Sequence, residues 1–286
     1  PMEYMTTTQI ESARKNVITK EVREIAKYEG VPALFIRGCV ANGTIVILKN
    51  MFRPPNTHFR TVGIGKNLKI KINANIGTSP MSMEIDYEKQ KVLTAIKYGA
   101  DAIMDLSTGG DIQKIRKMVI ETSTVPVGTV PLYGLICHLS RKQKSFITST
   151  SEQMFDEVAE QLESGVDFVT VHCGLTRKAI EILKNKKRLI GIVSRGGAFL
   201  AEWMTHNCKE NPFYERFDEL LSIAKKYDAV ISLGDGLRPG CIKDNTDDAQ
   251  IEELKTLGQL HKYALKRGVQ TMIEGPGHVP INQIEK

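Results

Sequence analysis

The feature that most constrains the fold is an alternation of short β-rich runs with segments whose apolar residues recur at helical spacing, beginning near residue 69. Strands joined by helical crossovers lie parallel, because each crossover returns the chain to the same edge of the sheet. Seven runs are predicted as strands: residues 68–77, 100–108, 125–133, 167–174, 189–197, 229–236 and 269–277.

This alternation predicts an α/β fold of the TIM-type (β/α) barrel class, because repeated units of about 30 residues suit a barrel better than a sandwich. Seven strands are visible, and the usual eighth strand is missing. A doubly wound open sheet is the alternative, although no GxGxxG motif follows the first strand. Amphipathic helices are predicted between the strands, such as those that carry Val92, Val119 and Val158.

Residues 1–66 have a different pattern and are predicted to form an N-terminal helical cap. The cap has one or two helices with Ile10, Val22 and Ile25 facing inward, followed by a loop-rich stretch. Residues 67–286 then form the barrel domain, which is incomplete at its C-terminus.

Charge and cysteine content narrow the class of ligand and the compartment. The net charge of +6 favours an anionic ligand, but the basic residues are scattered among acidic ones, which favours a phosphorylated small molecule over nucleic acid. No apolar stretch approaches the roughly 20 residues that cross a bilayer, so we expect a cytoplasmic protein without membrane contact. Five separated cysteines without a CxxC motif indicate reduced thiols.

Polar residues end every predicted strand. In a barrel, these ends open into the loops that bind ligands. Any one such residue is explained by a turn or a helix cap, but all seven strand ends together indicate a binding site. The residues are Asn73, Asn75, Asp105, Ser107, Tyr133, His172, Ser194, Arg195, Asp235, Arg238, Glu274 and His278.

Two glycine-rich motifs are candidates for anion binding. SRGGAFL places Ser194, Arg195 and backbone amides just before a helix, where they can converge on a phosphate, or the glycines serve packing alone. SLGDGLRPG places Asp235 and Arg238 around a turn, where they bind a ligand or only each other.

Three further candidates carry structural alternatives of similar weight. His172 lies on a strand and is either a binding residue or a satisfied core histidine. Met104 faces the core or forms an apolar wall of the pocket. In EGPGH, the turn brings Glu274 and His278 together, either as metal ligands or as a hydrogen-bonded loop, and two side chains seldom suffice for zinc.

Taken in order, the segments of this chain resemble the phosphomethylpyrimidine synthase family. Eight stretches spread over residues 8–285 carry the resemblance: KINANIGTS, YGADAIMDLSTGGDI, VPVGTVPLY, VTVHCG, GIVSRGGAF, ENPFYERFDELL, SLGDGLRPG and IEGPGHVP. The resemblance implies a (β/α)8 barrel. It also implies a radical rearrangement of 5-aminoimidazole ribonucleotide to 4-amino-5-hydroxymethyl-2-methylpyrimidine phosphate in thiamine biosynthesis, a carbon–carbon lyase reaction that uses S-adenosylmethionine and a 4Fe-4S cluster.

The resemblance also implies roles for individual residues. His278 matches one of two histidine ligands to a metal, usually zinc. The catalytic residues are not assigned. Substrate contacts are implied for Asn75, Met104, Tyr133, His172, Ser194, Arg195, Gly196, Asp235, Gly236, Leu237, Arg238 and Glu274.

The sequence departs from the family pattern in one respect. An eighth strand, a second metal histidine and a CxxCxxxxC motif that holds the cluster are expected further along the chain and do not occur in it. We therefore expect a partial chain, inactive alone, or a short homologue that is completed by a partner. Two unpaired parallel edge strands invite pairing with another chain, a homodimer included.

Two other functions share these motifs. One is 5-hydroxybenzimidazole synthase, which starts from the same ribonucleotide. The other is a non-catalytic module that binds aminoimidazole ribonucleotide.

Overall fold

The computed structural model describes residues 7–285 and is organised around a six-stranded parallel sheet. The strands follow one another in chain order across the sheet, with Phe168 opposite Val230 and Ile231 opposite Thr271 in two of the registers. A two-stranded hairpin precedes the sheet and consists of β1 (Ile45–Leu48) and β2 (Val62–Gly65). The six strands of the sheet are β3 (Asn73–Ile76), β4 (Ala102–Asp105), β5 (Val127–Thr129), β6 (Phe168–Val171), β7 (Val230–Leu233) and β8 (Thr271–Ile273).

Helices connect the strands and cover the outer face of the sheet, as the alternation predicts. Most begin at a side chain that caps the first backbone amides, such as Asp111, Thr150, Thr176, Ser194 and Asp247. The helices are α1 (Gln9–Arg14), α2 (Lys20–Glu29), α3 (Ala33–Ala41), α4 (Ile85–Lys97), α5 (Ile112–Thr122), α6 (Pro131–Arg141), α7 (Ser151–Glu163), α8 (Arg177–Asn185), α9 (Arg195–Asn207), α10 (Pro212–Glu215), α11 (Phe217–Tyr227) and α12 (Asp248–Lys266).

The chain is therefore a mixed α/β protein with a parallel sheet. The consecutive strand order lacks the reversal that defines a doubly wound sheet, which argues against that alternative. Within residues 7–285, β3 and β8 are edge strands and do not pair with each other, so a closed barrel stays a prediction. The predicted domain ranges also stay predictions, and residues 1–6 and 286 of those ranges lie outside the described residues.

The N-terminal helices and the hairpin form a second apolar cluster beside the main core. Strand β1 belongs to both clusters, because Ile45 and Ile47 face the N-terminal helices while Val46 and Leu48 face the main core. Ile10, Val22 and Ile25 are buried in the N-terminal cluster, as predicted. Most of the hairpin lies within residues 47–67, the stretch that was predicted to be loop-rich, and that prediction is wrong for residues 47–48 and 62–65.

Polar residues that precede the strands attach the hairpin region to the sheet. Asp167, just before β6, accepts hydrogen bonds from the backbone amides of Asn50 and Val127 and pairs with Arg53. Gln270, just before β8, accepts from the amide of Ile47 at 2.7 Å. These contacts hold the N-terminal region against the amino ends of the strands, opposite the ends where ligands are expected.

The predicted strand at residues 189–197 does not form. Strands β6 and β7 pair directly, which leaves no position for a strand between them. The backbone amides of Leu189 and Ile190 instead donate to the carboxylate of Asp244, and the segment runs without regular structure into α9. The apolar, β-branched sequence was thus a misleading signal, since Leu189 and Ile190 are both exposed.

Candidate functional site

A cavity of about 590 Å³ lies on the inner face of the sheet. Residues of both edge strands line it, so the sheet is curved around it, and Leu48 and Ile64 of the hairpin lie at one end. We call it the central cavity. It is lined by Leu48, Ile64, Gly65, Leu68, Lys69, Ile70, Lys71, Asn73, Asn75, Ala102, Met104, Leu106, Val130, Tyr133, Phe168, Thr170, His172, Ser194, Ser232, Arg238, Met272, Ile273 and Glu274.

The central cavity brings together residues that are distant in sequence and that were predicted as substrate contacts. Members of every strand except β5 contribute, because alternate residues of a strand face the same side. The predicted residues that line the cavity are Asn75, Met104, Tyr133, His172, Ser194, Arg238 and Glu274.

The other predicted residues lie next to this cavity without lining it. Gly196 packs against the ring of His172, and Gly236 lies next to Gly197 at the start of α9. Asp235 and Leu237 are buried beside Arg238, and Arg195 is exposed at the first turn of α9.

His172 is a buried, neutral imidazole at the centre of the site. Its Nε2 lies 3.2 Å from Oγ of Ser194, and Ser194 Oγ accepts from the amide of Gly197 as the N-cap of α9. The serine hydrogen is then free to donate to Nε2, an arrangement that places the ring hydrogen on Nδ1. This Nδ1 is buried and has no hydrogen-bond partner within residues 7–285. Burial lowers the pKa of His172 to about 4, with Glu274 opposing the shift and Arg238 adding to it.

Two loops form a single hydrogen-bonded unit at the carboxyl ends of β7 and β8. We call residues 235–239 the arginine loop and residues 274–278 the glutamate turn. Oε2 of Glu274 accepts from the amide of Asp235 at 3.1 Å, and the imidazole Nδ1 of His278 lies 2.7 Å from the carbonyl oxygen of Pro239. The side chain of Arg238 donates to the carboxylate and carbonyl of Asp235 at 2.7 and 3.0 Å.

The two glycines of the glutamate turn are required for different reasons, Gly277 by close packing against Asp235 and Gly275 by its backbone conformation. A Cβ on Gly277 would overlap the Asp235 carboxylate, and Gly275 has a φ of 109°, a backbone conformation that favours glycine. The two glycines of EGPGH are thus explained by a turn that packs against Asp235, without a bound metal.

The carboxylate of Asp235 lies in an unfavourable environment for its charge. Burial, and then the neighbouring Glu274 carboxylate, raise the pKa of Asp235 to about 7, against the effect of Arg238. Such a shift is common in binding and catalytic sites, although structural ion pairs also produce it.

Arg195 does not join Ser194 and Gly196 in the central cavity. Its guanidinium lies over the Tyr133 ring, 5.4 Å from the ring centroid, and lines a second cavity of about 450 Å³ on the other side of Tyr133. Tyr133 itself lies in the first turn of α6 rather than at the end of β5 as predicted, because Pro131 starts a helix there. The side chain of Tyr133 lines both cavities and separates them, and Arg195 lies on the side of the second cavity.

Asp105 and Ser107 are polar strand-end residues that do not line the central cavity. The amide and hydroxyl of Ser107 both donate to Oδ1 of Asp105, at 3.0 and 2.5 Å, and both residues are buried. The polar residues at this strand end are therefore explained by the hydrogen bonds between them, without a ligand.

Several site residues were not singled out from the sequence. The side-chain Nδ2 of Asn211 donates to the carbonyl oxygens of His172 and Leu175, at 2.8 and 2.9 Å, which fixes the end of β6. Gln250 and Glu253 are buried on the inner face of α12 and bind the two loops described above. Their spacing with Leu257 and Leu260 places all four on one face of the helix, a signal that was available in the sequence.

The described residues do not fit an iron–sulfur cluster, which requires three or four converging thiolates. The five cysteines lie in separate places, with Cys39 and Cys173 buried and Cys208 exposed. Within residues 7–285, no group of three or more histidine, cysteine, aspartate or glutamate side chains could hold a metal ion. His278 binds Pro239 through Nδ1, which leaves Nε2 as a single candidate ligand and not a zinc site.

No helix within residues 7–285 combines the length and apolar character needed to span a membrane.

Comparison with known proteins shows what the chain is similar to. Residues 8–286 match the family model described as the radical SAM ThiC family. Curated relatives named phosphomethylpyrimidine synthase include those of Thermoanaerobacter sp. strain X514, at 53% identity, and Methanocaldococcus jannaschii, at 48%. The match covers 97% of this chain and 64% of each of these relatives.

A relative from Thermus thermophilus is 49% identical over 97% of this chain and 63% of its own length. The chain thus spans slightly less than two thirds of the length of the curated relatives it matches. Among solved structures, dihydropteroate synthase from Thermus thermophilus aligns with 13% identity over 72% of this chain and 87% of that protein, at a TM-score of 0.26.

Proposed function

Because the chain belongs to the radical SAM ThiC family, we propose that it forms the substrate-binding part of a phosphomethylpyrimidine synthase. The substrate is 5-aminoimidazole ribonucleotide, and the product is 4-amino-5-hydroxymethyl-2-methylpyrimidine phosphate of thiamine biosynthesis.

The observation that carries this proposal is the central cavity. Its volume of about 590 Å³ lies within the range of roughly 300–1,000 Å³ that is usual for small-molecule sites. Apolar residues such as Leu48 and Phe168 line part of it, while Asn75, His172 and Glu274 supply hydrogen-bonding groups. A ribonucleotide combines a planar ring with polar hydroxyl and phosphate groups and matches such a mixed lining.

The electrostatics support an anionic ligand with hydroxyl groups. Lys69, Lys71 and Arg238 contribute cationic side chains to the lining, with Lys71 paired to Glu29 and Arg238 to Asp235. The carboxylate of Glu274 is an acceptor for sugar hydroxyls, and the neutral imidazole of His172 lines the cavity without adding charge. We propose that the arginine loop and the glutamate turn bind the sugar and that Arg195, beside Tyr133, reaches the phosphate.

The family name implies S-adenosylmethionine and an iron–sulfur cluster as cofactors. Because the described residues do not fit a cluster, we assign no step of the reaction to them. His278 is proposed as one ligand of a metal, zinc being the expected ion. Binding of the ribonucleotide is therefore the part of the function for which these residues can be tested.

Calorimetric titration of this chain with 5-aminoimidazole ribonucleotide tests the proposal. We expect saturable binding that is at least tenfold weaker for the nucleoside without phosphate, because the charge-assisted contacts are lost. His172→Leu should abolish measurable binding, whereas His261→Leu, which alters a half-buried histidine of α12 outside the cavity, should not. Equal affinity for ribonucleotide and nucleoside would refute the phosphate contact, and no binding at all would refute the proposed function.

A further inference from the structure

Helix α12 contributes two buried polar side chains to the loops of the candidate site. Nε2 of Gln250 donates to the carbonyl oxygen of Gly277 in the glutamate turn at 2.8 Å. Oε1 of Glu253, one turn further along, accepts from the amide of Leu237 in the arginine loop at 2.9 Å. Neither side chain lines the central cavity, so both contact the site only through the backbone of its loops.

Glu253 is an unusual residue for its position. Its side chain is 1% exposed, yet Oε2 has no hydrogen-bond partner within residues 7–285. A buried carboxyl without full pairing costs stability, so its presence on a face that also buries Leu257 and Leu260 calls for a compensating role. In the described part of the chain, its carboxyl accepts from the backbone of the loop that carries Asp235 and Arg238.

Leu237 is held at both of its backbone groups. Its amide donates to Glu253, and its carbonyl oxygen accepts from Nη2 of Arg188 at 2.7 Å. Arg188 also pairs with Asp247, the N-cap of α12, so both contacts are tied to the start of the same helix. The Leu237 side chain is fully buried, which leaves the loop no room to shift while these contacts persist.

The held segment lies directly behind the binding residues. A Cβ built on Gly236 would lie 3.0 Å from Oε2 of Glu253 and 3.6 Å from Cδ2 of His172, which shows how closely carboxyl, loop and imidazole are layered. Release of the Leu237 amide would therefore allow Asp235 and Arg238 to move relative to His172 and Glu274.

We propose that Glu253 is a positioning residue of this site, which fixes the arginine loop by accepting the Leu237 amide and so sets the place of Arg238 without contacting the ligand. The inference rests on the proposed function for the identity of the ligand but not for the effect on the loop.

Hydrogen exchange of the backbone amides, followed by mass spectrometry or NMR, tests the loop directly and needs no ligand. In Glu253→Leu, exchange at residues 236–238 should accelerate about tenfold or more relative to the rest of the sheet, because the amide loses its acceptor. Glu253→Gln retains an acceptor oxygen and should stay within about threefold of the wild type. Gln161→Leu, which removes an equally buried side chain on α7, should leave residues 236–238 unchanged.

The affinity for 5-aminoimidazole ribonucleotide is the second readout. Kd should rise about tenfold in Glu253→Leu and change less than about threefold in Glu253→Gln and Gln161→Leu. Glu253→Ala replaces the leucine variant if the latter does not fold.

Unchanged exchange at residues 236–238 in a folded Glu253→Leu or Glu253→Ala variant overturns the proposal, whether or not the wild type binds the ribonucleotide. A Glu253→Gln variant that behaves like the leucine variant also overturns it. If the wild type fails to bind while the exchange results are as expected, the proposed function fails and the positioning of the loop stands.

Discussion

At the scale of single residues, burial determines the charge state of the site. His172 is neutral near pH 7 because burial disfavours its imidazolium, and burial raises the pKa of Asp235 to about 7 and that of Glu253 to about 8. A site with neutral histidine and partly protonated carboxyls binds by hydrogen bonds, with its positive charge supplied by arginine and lysine.

Arg195 is predicted to contact the phosphate of the ligand, although its side chain does not line the central cavity. We predict that Arg195→Ala weakens binding of 5-aminoimidazole ribonucleotide by about 1.5 to 3 kcal/mol, the usual worth of a charge-assisted hydrogen bond, in calorimetric titration. Arg177→Ala is the matched control, because Arg177 likewise opens a helix directly after a hydroxyl N-cap but lies outside both cavities. Equal affinities of wild type and Arg195→Ala would remove Arg195 from the phosphate site.

The buried carboxyls predict the direction of the pH dependence. Folding raises the pKa of Glu253 from its usual 4.5 to about 8, so the native state binds more protons than the unfolded state between these values and the free energy of unfolding falls as pH rises. His172, with a lowered pKa, has the opposite effect only below about pH 6.5. Between pH 6.5 and 8 we therefore expect stability to decrease with pH.

Glu253→Gln removes one titrating group and should reduce this decrease by roughly 1–2 kcal/mol over that interval, measured by urea unfolding at each pH. Glu163→Gln, which changes an exposed glutamate on α7, is the control and should leave the slope unchanged. A variant Glu253→Gln with the slope of the wild type would contradict a buried, protonated carboxyl.

At the scale of elements, the sheet packs so tightly that one strand uses glycine on its inner face. Gly128 of β5 lies against the ring of Phe168, and a Cβ there would overlap the ring. Gly128→Ala should destabilise the fold by about 1–3 kcal/mol, the usual cost of overpacking a core, as measured by urea unfolding.

Gly258 provides the matched comparison, since it lies inside α12 with open space where a Cβ would be. Gly258→Ala should stabilise the fold by about 0.5–1 kcal/mol, because alanine is the better helix former. Similar effects of the two substitutions would show that the inner face has room that the structure does not show.

Six of the seven predicted strands form within residues 7–285. The clearest of them are buried β-branched runs, such as residues 168–171 and 230–233. The failure at residues 189–197 and the missed hairpin have a common cause, since both depend on which partner strand is available and not on local composition. The site shows the same division. Asn75, His172 and Glu274 follow from their position at strand ends. The spacing of Glu253 with Leu257 and Leu260 predicts its place on the buried face of α12, but its contact with the arginine loop is seen only in the structure.

At the scale of the whole molecule, the N-terminal region is attached to the amino ends of the strands through a buried ion pair. Arg53 and Asp167 are almost fully buried, and Arg53 also donates to the carbonyl oxygens of Ile120 and Ser123. Arg53→Leu leaves Asp167 buried without its partner and should destabilise the protein by about 3–5 kcal/mol in urea unfolding.

Arg23→Leu is the control, because Arg23 is exposed and its side chain donates to the nearby carbonyl oxygen of Ile18. It should change stability by less than about 0.5 kcal/mol. If Arg53→Leu costs no more than this control, the N-terminal region is not held to the sheet through the pair.

The proposed function depends on the curved sheet bringing distant strand ends to one ligand. The most direct test is a crystal structure of this chain with 5-aminoimidazole ribonucleotide. We predict that the ligand occupies the central cavity, in contact with Asn75, His172 and Glu274, with its phosphate within reach of Arg195. A ligand bound outside this cavity would contradict the account.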